Sequence, residues 1–202
     1  MTPFARTPVG HRERSVAADA RRDVTPHLAD TPVLTTERLI LRAPRMDDYP
    51  AFEAFYCSDR ARFIGGHGTK GTAWRGFGHV VGMWALKGCG SFVFACKAND
   101  KALGMTGPWV PEDWPEPEIG RTVWRADAEG HGYAFEAATA ARAFAYGTLG
   151  WMTAVSYIDE GNTRSIALAE RLGCIRDDAA EKPDKDASPV LVYRHPAPEA
   201  LA

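Results

Sequence analysis

EIGRTVWRADAEGHGYAFEAATAARAFAYGT, residues 118–148, contains the signals of three structural elements in direct succession. Residues 118–125 have the alternation and β-branched content of a strand, and residues 126–131 form a loop. Residues 132–148 contain seven alanines, which favour a narrow helix that can lie close against a sheet. The stretch therefore predicts a strand, a glycine-containing loop and a helix packed on that strand's sheet.

Gly130 and Gly132 lie where this loop enters the helix. A helix N-terminus presents unpaired backbone N–H groups, and the helix dipole adds positive potential at the same point. Such a turn suits a phosphate or a pyrophosphate. The same two glycines also suit a tight connection whose role is only geometric, so both interpretations stay open on the local sequence.

A second glycine motif, GxGxxG, occupies residues 66–71. A dinucleotide-binding loop of this pattern needs a buried strand before it and an acidic residue about 20 positions after it. Arg60 and Arg62 interrupt the preceding segment, and Ser91 stands where the acid is expected. These residues favour a linker between two helices over a dinucleotide site.

The rest of the chain extends the α/β pattern on both sides of the central stretch. Tyr49, Phe52, Phe55 and Tyr56 recur at helical spacing, and Asp47 or Asp48 can cap that helix. Further helices are predicted at residues 72–87 and after Asn162, which can cap the helix, with Gly173 just past its end. Strands are predicted at residues 37–43, 91–97, 101–106, 151–158, 175–178 and 189–194.

Composition and charge limit the classes of protein to which the chain can belong. The 202 residues are 45% hydrophobic with a formal net charge of −2, which predicts one folded domain at 33–202 and argues against nucleic-acid binding. Residues 1–32 lack an apolar pattern and are predicted to be a disordered tail. No run approaches the length of a membrane span or a signal peptide, so a cytoplasmic protein is expected. The four cysteines and six histidines lack metal-ligand spacing, which predicts reduced thiols and no metal.

Several short motifs together resemble a known family. Residues 36–42, Thr-Glu-Arg-Leu-Ile-Leu-Arg, are similar to the opening strand of GNAT-family N-acetyltransferases, closest to the branch of the ribosomal-protein N-terminal acetyltransferases. Further motifs follow in the family's order at 118–120, 130–137, 162–166 and 171–174. The resemblance covers about residues 35–193. It implies a GNAT-like mixed, mostly antiparallel central sheet flanked by helices, acetyl-coenzyme A as donor and a primary amine as acceptor. That amine is a small molecule or a peptide (protein) N-terminus, and whether the protein is a homodimer stays open.

The resemblance also implies roles for individual residues. Glu118 lies where many members carry the general base, although a solvated strand-end carboxylate is the alternative. Because residues 162–173 contain no Tyr, Ser165 is the candidate acid for the leaving thiolate; otherwise it only stabilises the helix start. Trp109 and Trp114 form an acceptor wall or simply pack. The residues expected to bind acetyl-coenzyme A are Val123, Trp124, Arg125, Ala128, Glu129, Gly130, His131, Gly132, Tyr133, Asn162, Arg164 and Ser165.

The diphosphate loop departs from the family pattern at its first position, which is Asp127. Asp127 and Glu129 bring negative charge to a diphosphate site, so the sequence predicts weaker cofactor binding unless Arg125, His131 or Arg164 offsets them. An alternative function on the same fold is a non-catalytic acyl-coenzyme A binding regulatory module. Asp127 favours that alternative, while the retained Glu118, Asn162 and Ser165 favour the enzyme.

Overall fold

The computed structural model describes residues 28, 31–65, 67–112, 114–183 and 189–201. Its eight-stranded sheet has the order β1-β2-β3-β4-β5-β6-β8-β7, and every pairing is antiparallel except the parallel pair β5–β6. The strands are β1 Leu34–Thr35, β2 Leu39–Arg42, β3 Phe92–Cys96, β4 Ala102–Trp109, β5 Glu118–Val123, β6 Val155–Asp159, β7 Ile175–Arg176 and β8 Val190–Arg194. The helices are α1 Tyr49–Tyr56, α2 Lys70–Lys87, α3 Tyr133–Gly147 and α4 Thr163–Arg171. The α/β fold class and the mostly antiparallel sheet are therefore confirmed.

Two boundaries differ from the sequence prediction by three residues or more, and a third segment bears on the dinucleotide-binding alternative. Strand β4 continues through Pro108 to Trp109, because β5 pairs with it over that whole length. Strand β6 begins at Val155 rather than at residue 151. Residues 59–64 form a 3-10 helix, which removes the strand that a dinucleotide-binding loop at 66–71 would require.

The start of α1 is stabilised differently from the prediction. Neither aspartate caps the helix through its side chain. The Asp48 carboxylate instead accepts from the Arg45 backbone N–H at 2.8 Å and forms a buried two-oxygen pair with Arg42. Asp48 therefore anchors the end of β2 to the beginning of α1.

Helices cover both faces of the sheet. Aromatic residues of α1 and α2 pack with Trp124 on one face, as in the edge contact of Phe52 with Trp124. On the other face, α3 buries Ala137, Ala138 and Ala141 completely. These small side chains allow the close approach to the sheet that the alanine content predicts, while Phe144, later on the same side of α3, packs edge-on against Phe92 of β3.

Two observations concern the ends of the fold. Leu28 lies half-buried against the cluster of apolar residues between α3 and the sheet. Residues 1–27, 29 and 30 lie outside the described residues, so the predicted tail of residues 1–32 stays a prediction. Among the described helices, none combines the length and apolar character needed to cross a bilayer.

Candidate active site

The loop before α3 leaves a row of backbone donors without partners. Gly130 and Gly132 have φ values of +78° and +79°, a left-handed conformation that favours glycine. None of the backbone N–H groups of residues 130–135 donates a hydrogen bond to another described residue. Six consecutive donors without partners and the positive end of the α3 dipole therefore lie in one short segment, an arrangement that suits an anion.

Arg38 holds this loop in place. Its Nη1 donates to the carbonyl of His131 at 2.9 Å, its Nε donates to the Glu136 carboxylate at 2.7 Å, and its guanidinium lies 4.5 Å from the Tyr133 ring centre. Burial opposes ionisation of Glu136, but bonds from Thr36 and Arg38 outweigh it and keep the pKa of the carboxyl below its usual range. The loop is thus fixed from behind, with its N–H groups unused.

The two acidic residues of the loop both have cationic partners. Asp127 forms a two-oxygen pair with Arg125, and this bond keeps the pKa of the Asp127 carboxyl below its usual range. Glu129 accepts from Arg60 and from Arg164. Of the three offsetting residues named from the sequence, Arg125 and Arg164 form these pairs, while the His131 carbonyl is bound by Arg38.

A cleft of about 950 Å³ opens in front of this loop. One wall is the segment 60–64, the second is the end of β5 with the loop, and the third is one side of α4 along its whole length. Among the predicted cofactor-binding residues, Val123, Ala128, Glu129, Gly130, Gly132, Tyr133, Asn162, Arg164 and Ser165 line it. Trp124, Arg125 and His131 lie outside the lining.

The cleft exists because β5 and β6 diverge. Their parallel register consists of one pair, Glu118 with Val155, within the described part of the chain. The Trp124 N–H donates toward β4, to the Leu103 carbonyl at 2.8 Å. Because backbone groups alternate between the two edges of a strand, the N–H and the carbonyl of Val123 point into the cleft. The Val123 N–H is therefore available to an extended ligand along β5, and the Trp124 N–H is not.

Helix α4 presents its first turn to the cleft. The Asn162 side chain accepts from the Ser165 N–H at 3.2 Å, so the predicted cap is confirmed. The Ser165 hydroxyl makes no hydrogen bond to another described residue and lines the cleft. A polar hydroxyl is thus free to contact a ligand there.

Glu118 lies at the point where β5 and β6 are still paired. It is 8% exposed, and its carboxylate accepts from Trp114 Nε1 at 2.5 Å and from the Tyr157 backbone N–H at 3.3 Å. Burial, with the nearby charge of Glu116, raises the pKa of Tyr157 to about 12. Trp114 lies beside Glu118, and Trp109, which is paired with Glu118 across β4 and β5, contacts His79 of α2 at 4.8 Å between ring centres. Glu118 does not line the cleft, so Glu118 and Ser165 are not brought into one cavity.

Arg121 lies between these two residues and was not identified from the sequence. Its Nη1 donates to Ser156 Oγ on β6 at 2.6 Å, and its Nη2 donates to the Ser165 carbonyl at 3.0 Å. Burial lowers the pKa of Arg121, and its Nε has no hydrogen-bond partner among the described residues. The side chain therefore connects β5, β6 and α4. Arg121 alternates with Ile119 and Val123 along β5 and so lies on the same face, and this position could have indicated that its side chain contacts neighbouring elements.

A buried histidine continues the same network. His195 Nε2 lies 3.1 Å from Ser156 Oγ, and its Nδ1 lies 3.4 Å from Arg142 Nη1. A guanidinium only donates, so Nδ1 accepts and Nε2 carries the proton. Burial and the charges of Arg121 and Arg142 lower the pKa of His195 to about 3. The histidine is therefore neutral in the folded protein.

Among the residues that the structure describes, the thiols and metal-ligating side chains form no further centre. All four cysteines are free, and burial raises the pKa of Cys174 to about 11. Over the described ranges, no three His, Cys, Asp or Glu side chains form a metal-binding group.

Comparisons with known proteins identify the family. The model of the GNAT acetyltransferase domain matches residues 38–175, which is more than half of the chain. The chain therefore belongs to the GNAT acetyltransferases. The search of curated proteins found no significant match.

Three solved structures are similar to this chain. An acetyltransferase from Agrobacterium tumefaciens is 36% identical with a TM-score of 0.75, over 81% of this chain and 94% of that one. A GNAT-family acetyltransferase from Bordetella pertussis is 26% identical with a TM-score of 0.67, over 82% and 99%. The ribosomal-protein α-N-acetyltransferase RimL, solved with coenzyme A, is 15% identical with a TM-score of 0.64, over 81% and 97%, and shows the shared fold.

Proposed function

We propose that the protein transfers an acetyl group from acetyl-coenzyme A to a primary amine by direct attack in a ternary complex. The observation that carries the proposal is the row of six unpartnered N–H groups at residues 130–135, which opens into the cleft beside β5. The diphosphate fits these donors, and the pantetheine arm fits the N–H of Val123. The amine belongs to a small molecule or to a protein N-terminus, the kind of acceptor that RimL's name gives for that relative.

The chemistry assigns two side chains to proton transfer. An amine is mostly an ammonium ion at neutral pH and must lose a proton before it attacks a thioester. Glu118, buried at the head of β5 outside the cleft lining, is the proposed base, and it takes the proton through water. The free hydroxyl of Ser165 is the proposed donor to the leaving thiolate, and water can replace it in part.

Donor binding is tested by thermal shift with acetyl-coenzyme A. Gly130→Val places a β-branched residue at a φ of +78° and should abolish the shift, because the loop must rearrange. Gly147→Val is the control, since Gly147 in α3 has no positive φ and no neighbour within 4 Å of an added Cβ. A shift with NAD and none with acetyl-coenzyme A would overturn the proposal.

Turnover is tested by thiol release against panels of amines and peptides. Glu118→Gln should lower turnover by roughly 10²- to 10⁴-fold with donor binding preserved, and the loss should shrink at high pH. Glu112→Gln changes an exposed carboxylate of the preceding loop and should leave turnover unchanged.

A second candidate is the non-catalytic acyl-coenzyme A binding module. It is favoured by one observation, namely that both Glu118 oxygens accept hydrogen bonds away from the cleft. Binding of acetyl-coenzyme A without thiol release on any acceptor would support this candidate. Release that is insensitive to Glu118→Gln would make Glu118 a structural carboxylate in an enzyme that positions neutral amines.

A further inference from the structure

Glu129 joins two arginines that come from different walls of the cleft. One carboxylate oxygen accepts from Arg60 of the segment 60–64, and the other accepts from Arg164 of α4 at 2.5 Å. All three residues line the cleft. The carboxylate therefore closes a bridge across the cleft mouth.

The two arginines differ in how firmly they are held. Arg60 also donates to the carbonyls of Trp124 and Val123, at 2.5 and 3.0 Å, and its guanidinium lies 5.4 Å from the Phe55 ring centre. Arg164 is 83% exposed, and its hydrogen bonding to described residues is confined to Glu129. Arg60 is thus a fixed cation, and Arg164 is a cation on a free side chain.

The position of the bridge indicates which ligand it serves. Glu129 directly precedes Gly130, the first of the six residues with an unpartnered N–H group. Two guanidinium groups that bind two oxygens of one anion form an arrangement that phosphoryl oxygens also accept. The two arginines therefore favour an anion between them, and the Glu129 carboxylate is that anion when no phosphate is bound.

We infer that Glu129 is an internal counter-anion that the phosphates of coenzyme A displace, and that Arg60 and Arg164 are phosphate-binding residues. The inference rests on the proposed function, because it assigns residues of the same donor site. The Arg164 half of the bridge exchanges easily, since its guanidinium is exposed and an exposed ion pair is screened by water and contributes little. A diphosphate carries more charge than a carboxylate and also binds the free N–H groups.

Two consequences follow from this exchange. The displaced carboxylate stays near the bound phosphates and repels them, so Glu129 lowers donor affinity. It also competes for the arginines as coenzyme A leaves, so Glu129 accelerates product release. Glu129 therefore sets the residence time of the cofactor.

The test measures acetyl-coenzyme A affinity by calorimetry and coenzyme A dissociation by stopped flow, on the full chain. Glu129→Gln should tighten Kd by roughly 3- to 10-fold and slow dissociation by a similar factor. Arg60→Gln and Arg164→Gln should each weaken binding by several-fold. Asp127→Asn is the matched control, since it removes the same charge two residues away from a side chain that pairs with Arg125 outside the cleft lining.

The outcomes separate this inference from the proposed function. Unchanged or weaker binding by Glu129→Gln overturns the inference, because a purely structural bridge would loosen the site when removed. Equal tightening by Asp127→Asn also overturns the inference, since the gain in affinity would then come from the lower negative charge of the region and not from the bridge. If the unmodified protein does not bind acetyl-coenzyme A, the proposed function fails, and this inference fails with it.

Discussion

Two groups of arginines in this protein differ in the kind of partner that compensates their charge. At the cleft mouth, Arg60 and Arg164 share the carboxylate of Glu129, and all three side chains are partly exposed. In the interior, Arg121 of β5 and Arg142 of α3 are bound by carbonyls, a hydroxyl and a neutral imidazole. An exposed ion pair exchanges partners at little cost, whereas a buried cation held by dipoles loses much when one of them is removed. The partner of Arg60 and Arg164 is therefore replaceable by a ligand, whereas the partners of Arg121 and Arg142 are fixed.

The largest expected effect comes from removing a buried cation. Arg142→Met leaves the Leu172 carbonyl and His195 Nδ1 without their donor, because Arg142 Nη1 lies 2.7 and 3.4 Å from them. We expect the free energy of unfolding to fall by about 2–4 kcal/mol. Urea unfolding measures it, and a change below about 1 kcal/mol would mean that the buried network is no more fixed than the exposed pair.

The second expected effect is a pH dependence of stability. The folded pKa of His195 is about 3 against an ordinary 6.5, so below about pH 6.5 the unfolded chain binds a proton that the native chain does not. Stability should therefore fall as pH drops, by at most about 1.4 kcal/mol per pH unit from this group. His195→Gln retains a side-chain donor but cannot titrate. Unfolding between pH 7 and 5 should be less pH-dependent in this variant, and equal slopes would contradict the assignment.

The smallest expected effect concerns the cleft mouth. Arg164→Met removes one cation from Glu129, whose other partner, Arg60, remains. The free energy of unfolding should change by less than about 1 kcal/mol, and the difference should vanish in high salt. A loss comparable to that of Arg142→Met would remove the distinction between the two groups.

The order of the elements was predictable because it depends on local signals. Apolar periodicity located the strands and helices, and Asn162 and Gly173 delimited α4 as capping residues do. Two boundaries were wrong where neighbouring strands decide them. Strand β4 runs through Pro108 because β5 pairs with it. Strand β6 begins only at Val155, because Val155 is the residue that pairs with Arg194 at the end of β8.

The candidate site was predictable only in part. The glycines of the loop and the first turn of α4 were found from motifs, because consecutive residues form them. The pairing of Arg60 with Glu129 joins residues 69 positions apart, and no local pattern records it. The separation of Glu118 from the cleft depends on where β5 and β6 diverge, which strand register and not composition determines.

The divergence of β5 and β6 also has a mechanical meaning. A continuous ladder resists shear because many hydrogen bonds carry load together, whereas this joint has the single register pair of Glu118 and Val155, with the Val155 N–H bonded to the Pro117 carbonyl at 3.0 Å. The sheet consequently consists of two antiparallel halves, joined by this one backbone pair and by side-chain hydrogen bonds of Arg121, Ser156 and Glu118. Force applied across the β5–β6 joint would separate the two halves of the sheet there, and each half would retain its own antiparallel strands.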